Sequence, residues 1–375
     1  MRICVVGPVY PFKGGISHYT GMMVRNLKKE HEVITVSYKM QYPKILFKKE
    51  QRDFTNDSFK IDDAQFLLNT ANPFNIIGTA NKIKKMNPDL VIIQWWHPYF
   101  APCYKILKTC LGKIKTIYVC HNVFPHERFP MDKFLTRMVL KKGDGFIIHS
   151  SKEAEDLLGI NKNSKYEVTP HPTYNAFKLQ GMSKEDGRSL IGMDNDRKML
   201  LFFGFVREYK GLKHILNAMP AILKENSDLD LYVVGDFDVD KDIYVDMIDN
   251  LGVAGQVKII DGYVPDKEVE KYFAACDLVV LPYESATQSG IVQVAYGFDK
   301  PCVVTNVGGL PEVVLDGKTG YVVEPYKPDE LARVVNKYFA ENNEAEFSAN
   351  VKAEAYRFSW DRMNEVVARL AQKVK

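Results

Sequence analysis

Met199-Leu200-Leu201-Phe202-Phe203-Gly204-Phe205-Val206-Arg207-Glu208-Tyr209-Lys210-Gly211 passes from an unbroken apolar run into a short basic loop bounded by two glycines. The apolar run predicts a strand buried on both faces, and the segment from Leu212 to Glu225 behind it predicts a helix. A loop between a parallel strand and a helix lies where open α/β sheets bind ligands. The free N–H groups of the helix N-terminus favour anions there. Arg207 and Lys210 in such a loop suit a diphosphate, the guanidinium as a fork and the ammonium as a point charge.

Working outward, further strands are predicted at Asp230 to Gly235, Val257 to Asp261, Leu278 to Leu281, Cys302 to Thr305 and Tyr321 to Val323, with helices at Lys267 to Ala275 and Ile291 to Phe298. The first half opens with a strand at Ile3 to Gly7, a glycine turn at Gly14-Gly15 and a helix from Ser17 to Glu30. Strands at Val33 to Val36, Leu90 to Gln94, Thr116 to Cys120, Phe146 to Ile148 and Glu167 to Thr169 follow. Alternation of this kind predicts parallel sheets covered by helices on both faces. With 375 residues the chain exceeds the ~250 at which single cores stop growing, so two domains are expected. The Gly-, Asn-, Ser- and charge-rich stretch from Pro170 to Arg197 is the linker candidate. A boundary within Lys178 to Gly181 gives domains 1–180 and 181–359. Lys39 to Lys60, basic and aromatic without either period, is expected to be a mobile loop.

Composition narrows the class. Apolar residues at 46% and charged ones at 26% describe a soluble globular chain, and no run reaches the ~18 apolar residues of a membrane span. The N-terminus enters a strand pattern directly, without signal-peptide features, which predicts a cytoplasmic location. Six cysteines without a Cys-x-x-Cys pair read as small core hydrophobes rather than a disulfide framework or zinc site. The net charge of +3 conceals a split: residues 1–180 carry 27 Lys/Arg against 15 Asp/Glu, the remainder 23 against 32. The basic half is a candidate surface for a nucleic acid, an anionic lipid head group or a pyrophosphate-linked acceptor. Two solvated surfaces that attract each other are the plain alternative.

The run Gly204-Phe205-Val206-Arg207-Glu208-Tyr209-Lys210-Gly211 recurs together with Asp261-Gly262-Tyr263-Val264-Pro265, Ala275-Cys276-Asp277-Leu278-Val279-Val280-Leu281-Pro282 and Lys300-Pro301-Cys302-Val303-Val304-Thr305-Asn306-Val307-Gly308-Gly309-Leu310-Pro311-Glu312. With these motifs the sequence resembles, over nearly its whole length, the retaining glycosyltransferases of family 4. The resemblance implies the GT-B fold: α/β, two doubly wound parallel-sheet (Rossmann-like) domains facing across a cleft, with the final segment 360–375 returning to the first. It implies that Arg207 and Lys210 bind donor diphosphate and that Gly14 and Gly15 face it. Tyr263 and Val264 would face the base through their backbone, and His121 would lie near the donor sugar. His121, Arg207 and Lys210 are therefore the expected catalytic groups. One departure stands out: the family's usual pair of glutamates falls on Ala286 and Val294, while Glu284 and Gln293 are out of register. In their place Ala286-Thr287-Gln288-Ser289-Gly290-Ile291 forms a polar turn that begins a helix, whose N–H groups could receive phosphate or sugar oxygens. A simple polar helix start is the plain reading.

In the first half, Gln94-Trp95-Trp96-His97-Pro98-Tyr99 and Tyr118-Val119-Cys120-His121-Asn122-Val123-Phe124-Pro125-His126-Glu127 end two strands. Trp95, Trp96, His97, Asn122 and His126 are acceptor-side candidates, with core packing of both tryptophans left open. Asp238-Val239-Asp240 sits alone in an acidic loop and is not read as a metal site. The resemblance then implies a metal-independent hexosyltransferase without cofactor. Its donor would be a UDP-sugar or GDP-sugar, and its acceptor a glycan or lipid in bacterial surface polysaccharide or glycolipid assembly. Lys44, Lys48, Lys49 and Arg52 beside Tyr42, Ile45, Leu46 and Phe47 suggest peripheral association with the anionic inner face of the cell membrane. No motif supports nucleic acid. A sugar-nucleotide epimerase and a non-catalytic nucleotide-sugar-binding partner subunit are the alternatives. A dinucleotide oxidoreductase is weaker, because Gly7 to Gly15 lacks Gly-x-Gly-x-x-Gly.

Overall fold

The computed structural model describes residues 1–47, 50–54, 57, 60–125, 129–174 and 177–374. They divide into two compact units, Met1–Pro172 with the segment from Ser359 onward, and Thr173–Phe358.

In the first unit the chain runs β1 (Arg2–Val6), α1 (Gly15–Leu27), β2 (Glu32–Met40), β3 (Gln65–Asn69), α2 (Pro73–Lys85), β4 (Leu90–Trp95), α3 (Ala101–Leu111), β5 (Lys115–Cys120), α4 (Asp132–Leu140), β6 (Gly145–Ile148), α5 (Ser151–Ile160) and β7 (Tyr166–Val168). The strands form one parallel sheet in the order β3-β2-β1-β4-β5-β6-β7, with Ile3 of β1 in register between Val33 and Leu90. Helices on the faces bury the central strands from both sides, which is why β4 is inaccessible along its whole length. The order reverses between β1 and β4, so the loops after these two strands diverge and leave room for a ligand.

The second unit contains α6 (Lys184–Leu190), β8 (Lys198–Phe203), α7 (Leu212–Glu225), β9 (Leu229–Gly235), α8 (Asp242–Asn250), β10 (Val257–Asp261), α9 (Asp266–Ala275), β11 (Leu278–Leu281), α10 (Gly290–Gly297), β12 (Cys302–Thr305), α11 (Leu310–Val313), β13 (Gly320–Val323), α12 (Pro328–Ala340) and α13 (Glu344–Ala353). Its parallel sheet follows β10-β9-β8-β11-β12-β13 and reverses between β8 and β11. The chain then returns to the first unit as α14 (Trp360–Val374), whose buried stripe from Trp360 through Met363, Val367 and Leu370 to Val374 packs on α1 and β6. Asn364 secures it by donating to the Asn26 carbonyl at 3.1 Å. No described helix is long and apolar enough to cross a membrane.

Three local readings need correction. The sequence pattern misses β3, an edge strand with exposed residues and an irregular register against β2, where one-sided pairing leaves little apolar periodicity. β2 continues through Met40, so the irregular segment begins later than Lys39. Lys48 and Lys49 lie outside the described residues. Finally, Lys178 to Gly181 is fixed rather than linking: the buried Glu270 carboxylate accepts from the backbone N–H of Leu179, Gln180 and Met182 at 2.9, 2.7 and 3.0 Å. Thr173 N–H already donates to Phe358 and Tyr174 N–H to Gln293, so the change of unit falls after Pro172.

Candidate functional site

In the second unit the loop after β8 turns at Gly204 (φ 101°) and ends at Gly211 (φ 67°), both in the region that favours glycine. Gly211 also lies against Pro282; a Cβ there would stand 2.1 Å from the Pro282 carbonyl oxygen. This close approach joins the loop after β8 to the loop after β11 across the point where strand order reverses. Between the glycines, Glu208–Lys210 makes a single 3-10 turn, which folds Lys210 inward. Its ammonium lies 5.7 Å from the centre of the Tyr283 ring, and no carboxylate pairs with it among the described residues. Burial first, and the like charge of Arg207 second, lower its pKa to about 8. A buried cation in that state gains from any anion that reaches it.

Arg207 behaves differently. It is partly exposed and donates to Asp238 from Nε at 3.1 Å and from the terminal nitrogen at 3.0 Å. Asp240 accepts from Asp242 N–H at 3.1 Å. The acidic loop thus holds an arginine, and among the described residues no group of three or more His, Cys, Asp or Glu could hold a metal ion.

The turn before α10 meets the same loop. A Cβ on Gly204 would lie 3.2 Å from Lys210 Nζ and 3.3 Å from Ile291 Cδ1, so two motifs remote in sequence flank one backbone position. Ser289 is the N-cap in extended conformation but makes no capping hydrogen bond; its hydroxyl lies 3.3 Å from the Tyr283 hydroxyl instead. The first turn of α10 is therefore without a side-chain cap among the described residues, and a Cβ added at Gly290 would lie 3.6 Å from the Tyr174 ring. Thr287 is fixed through its carbonyl, which accepts from Gly309 N–H at 2.9 Å. Gln288 has a shielded amide nitrogen without a hydrogen-bond partner among the described residues. Glu284 is engaged by Lys213 at 2.8 Å and His214 at 2.9 Å. Tyr263 (40% exposed) and half-buried Val264 follow β10 at the edge of the sheet.

In the first unit Gly14 (φ 101°) caps α1, Gly15 opens it, and no atom of the described residues lies within 4 Å of the position a Gly14 Cβ would take. His121 ends β5, its N–H donating to the Trp95 carbonyl at 2.8 Å and its Nε2 lying 2.8 Å from Gln94 Oε1. Three buried histidines surround Tyr19, with ring centres of His121, His171 and His149 at 4.6, 4.7 and 5.6 Å. His149 and His171 use Nδ1 toward the carbonyls of Thr169 and Pro172, each at 3.0 Å. Burial, opposed by those carbonyls and for His171 reinforced by His149, lowers their pKa values to about 4 and about 3. Burial, then His149 and His171, also hold His121 well below the usual histidine range. Three neutral imidazoles result.

The acceptor-side candidates separate. Trp95 is fully buried with its indole N–H on the Val123 carbonyl at 3.3 Å, so it is core and cannot stack on a sugar. Trp96 is half-buried, donates to the Tyr42 hydroxyl at 3.1 Å and packs 4.2 Å from Phe100. His97 caps the turn Pro98–Phe100 by accepting from Tyr99 N–H, and its ring stacks on Phe129 at 5.6 Å. With Tyr99, Pro102 and Leu135 this pair lines a hollow of about 470 Å³. Asn122 is half-buried beside His121; His126 lies outside the described residues. Sequence reasoning missed Gln94, Tyr19, His149 and His171. The available signal was a glutamine in an otherwise apolar strand and histidines just past the ends of two more.

Residues 13–173 match the model for Glycosyltransferase Family 4 and residues 183–358 the model for Glycosyl transferases group 1. An uncharacterized glycosyltransferase of Methanocaldococcus jannaschii is 33% identical over 57% of this chain and 59% of its own. The chain spans between 47% and 61% of the length of several such curated relatives. Spore coat protein SA of Bacillus subtilis is 24% identical over 100% of both chains. Among solved structures, Anabaena HepE in complex with UDP and glucose has the same fold, with a TM-score of 0.74 at 18% identity over 98% of each chain. The two sheets with their glycine-bounded loops thus correspond to the two halves of one enzyme family: the chain belongs to the glycosyltransferases of family 4 and group 1, with the GT-B fold.

Proposed function

We propose that this chain transfers a sugar from a nucleoside diphosphate donor to an acceptor hydroxyl, with retention at the anomeric carbon and without a metal ion. The carrying observation is the buried Lys210 ammonium, unpaired with any carboxylate among the described residues, beside the uncapped start of α10. The site is suited to a diphosphate: Lys210 and the N–H groups near Gly290 take phosphate oxygens, and Arg207 exchanges Asp238 for the ligand. Tyr263 and Val264 face the base. These fixed positive groups stabilise charge as the bond from the anomeric carbon to the phosphate oxygen breaks, the largest electrostatic demand of the step. The acceptor oxygen bonds to the same face of that carbon, and the departing phosphate takes its proton. This scheme needs no carboxylate at Ala286 or Val294, and Glu284 is already bound by Lys213 and His214. His121 polarises or orients a donor hydroxyl.

The acceptor is proposed to be a glycan or lipid-linked sugar of surface polysaccharide or glycolipid assembly, presented at an anionic membrane. The support is the basic first half and the exposure of Ile45 (85%) and Leu46 (65%) beside Lys44. Arg52 does not belong to that surface set, because it donates to the Lys39 carbonyl and covers the Phe12 ring.

The test is a thermal-shift panel of UDP- and GDP-sugars, then incubation of the hit with and without acceptor preparations in chelator. A stabilising nucleotide sugar and an acceptor-dependent product with the donor's anomeric configuration are expected. An isomerised sugar from donor alone would make the chain an epimerase. Binding without product would leave a partner subunit, and restoration by Mg²⁺ would remove metal independence.

A further inference from the structure

Gln94 is a polar side chain in a place that selects against one. It lies in β4 between Ile93 and Trp95, wholly buried, in a strand flanked on both sides by β1 and β5. An amide there costs free energy unless both ends find partners. Its Nε2 faces Met23 Sδ at 3.5 Å and its Oε1 faces His121 Nε2 at 2.8 Å. Gly7 makes room for it: a Cβ at Gly7 would stand 2.5 Å from Gln94 Cγ. A valine or leucine would meet the packing requirement of β4 without any of this.

We propose that Gln94 is a positioning residue for His121, its side-chain carbonyl holding the imidazole as the Nε2–H tautomer so that Nδ1 remains an acceptor for a donor-sugar hydroxyl. The inference rests on the role given to His121 above. The two ring nitrogens of a neutral histidine have opposite roles, and the bond made by one assigns the other. Nδ1 of His121 has no hydrogen-bond partner among the described residues, and the side chain keeps some exposure, 8%. The titratable groups around the ring are Tyr19 from α1, His149 from the end of β6 and His171 from the end of β7. No carboxylate pairs with it among the described residues, so the neutral form persists into acid. An imidazole with an unprotonated Nδ1 accepts the hydroxyl's hydrogen bond, whereas an imidazolium would repel the cationic character that develops on the sugar.

The experiment uses the full chain with ¹⁵N-labelled histidine. Long-range ¹H–¹⁵N spectra should show His121 protonated at Nε2 and not at Nδ1 from pH 8 to pH 5. Gln94→Met keeps the unbranched shape but removes the acceptor. It should mix the two tautomers and lower kcat about tenfold while changing donor Kd by no more than about twofold, because an orientation effect falls on the transition state. Gln94→Glu should keep the tautomer and most of kcat at pH 8 but raise the imidazole titration, and the acid limb of the kcat profile with it, by at least about one pH unit. A wild-type His121 protonated at Nδ1, or a Gln94→Met protein with unchanged tautomer and kcat, would overturn the proposal. The tautomer is read without turnover. Failure to find any sugar transfer would therefore count against the function proposed for the chain, while the spectra would still decide the role of Gln94.

Discussion

The two units solve opposite electrostatic problems beyond the carboxyl ends of their strands. Each sheet reverses its strand order once and gathers polar groups beyond the strand ends. In the second unit the group is a charge, the Lys210 ammonium, buried beside a helix start with no carboxylate partner among the described residues. In the first unit the groups are three imidazoles kept neutral around Tyr19, with hydrogen bonds to an amide and two carbonyls. A buried cation waits for an anion, whereas a buried neutral acceptor handles hydroxyls. The contrast argues for a division of labour in which the second unit stabilises the leaving diphosphate and the first orients sugar.

The largest effect should come from the cation. Lys210→Ala is expected to lower donor kcat/KM about ten- to a hundredfold, since a lost charge-assisted bond of about 1.5–3 kcal/mol has that consequence. Arg207→Ala should cost about tenfold, because a partly exposed guanidinium already satisfied by Asp238 has less to gain. Lys210 also sets a sign for pH. In the proposed site its charged form would bind the diphosphate, so donor affinity should weaken as pH rises through about 8. Initial-rate kinetics of both variants and a pH series of donor binding test this. Near-normal constants for Lys210→Ala would remove the diphosphate assignment.

The neutral histidines predict a difference in acid stability. Their folded pKa values lie below the ordinary value of 6.5, at about 4 for His149 and about 3 for His171. Above pH 6.5 neither state is protonated and stability is complete. As pH falls below 6.5 the unfolded chain takes up protons that the fold refuses, and stability is lost down to the folded values. At pH 5 that amounts to about 2 kcal/mol for each residue. The first unit should therefore melt earlier than the second on acidification, and His149→Phe should lessen the difference. Calorimetry at pH 8 and pH 5 reads both transitions; parallel shifts of the two would break the comparison.

His121→Ala should lower kcat about tenfold with a smaller change in donor Kd, the signature of an interaction made chiefly in the transition state. A stable variant with unchanged kcat would reduce the first unit's cluster to packing.

Much of this contrast could be read from sequence for one unit and little for the other. β11 and β12 fall at the predicted bounds, and α7 does too, because buried parallel strands are continuous apolar runs and α7 has a strong amphipathic period. Gly204, Arg207, Lys210 and Gly211 lie within eight residues, so one local pattern carries that part of the site. His121, His149, His171, Gln94 and Tyr19 come from five separate elements, and only the sheet brings them together. Sequence shows each as an isolated polar residue at a strand end or on a helix. Trp95 and Trp96 show the same limit: Trp95 ends β4 and Trp96 follows it, both beside one apolar cluster, yet the first is fully buried and the second half-buried, and the pattern cannot say which one enters the core. Likewise the three N–H groups bound by Glu270 made a polar stretch look like a linker, since a long-range carboxylate leaves no local mark.

The smallest expected effect sharpens the comparison at its outer edge, where the first unit would meet its acceptor. Tyr42 is packed on Tyr99 and Phe100 and accepts from Trp96, so it anchors the start of the segment rather than offering a surface. Ile45 and Leu46 just beyond it are exposed at 85% and 65%, with Phe47 at 41% stacked on Tyr42. Apolar side chains held out beside Lys44 can enter a bilayer interface while the cation meets anionic head groups, at roughly 1 kcal/mol per basic residue near the surface. Such a contribution is modest and sensitive to salt. Sedimentation with anionic vesicles should show binding at low salt that weakens at moderate salt. The double variant Ile45→Ser/Leu46→Ser should reduce it about fivefold, corresponding to about 1 kcal/mol of lost apolar insertion. Lys44→Glu should reduce it by a similar factor on anionic vesicles and not on neutral ones, because only the former offer a counter-charge. Binding that is absent, or equal on neutral and anionic vesicles for all three proteins, would detach the acceptor from the membrane. The charge asymmetry would then belong to a soluble glycan acceptor or to solvent, while the assignments of Lys210 and His121, which rest on the interiors of the two units, would stand.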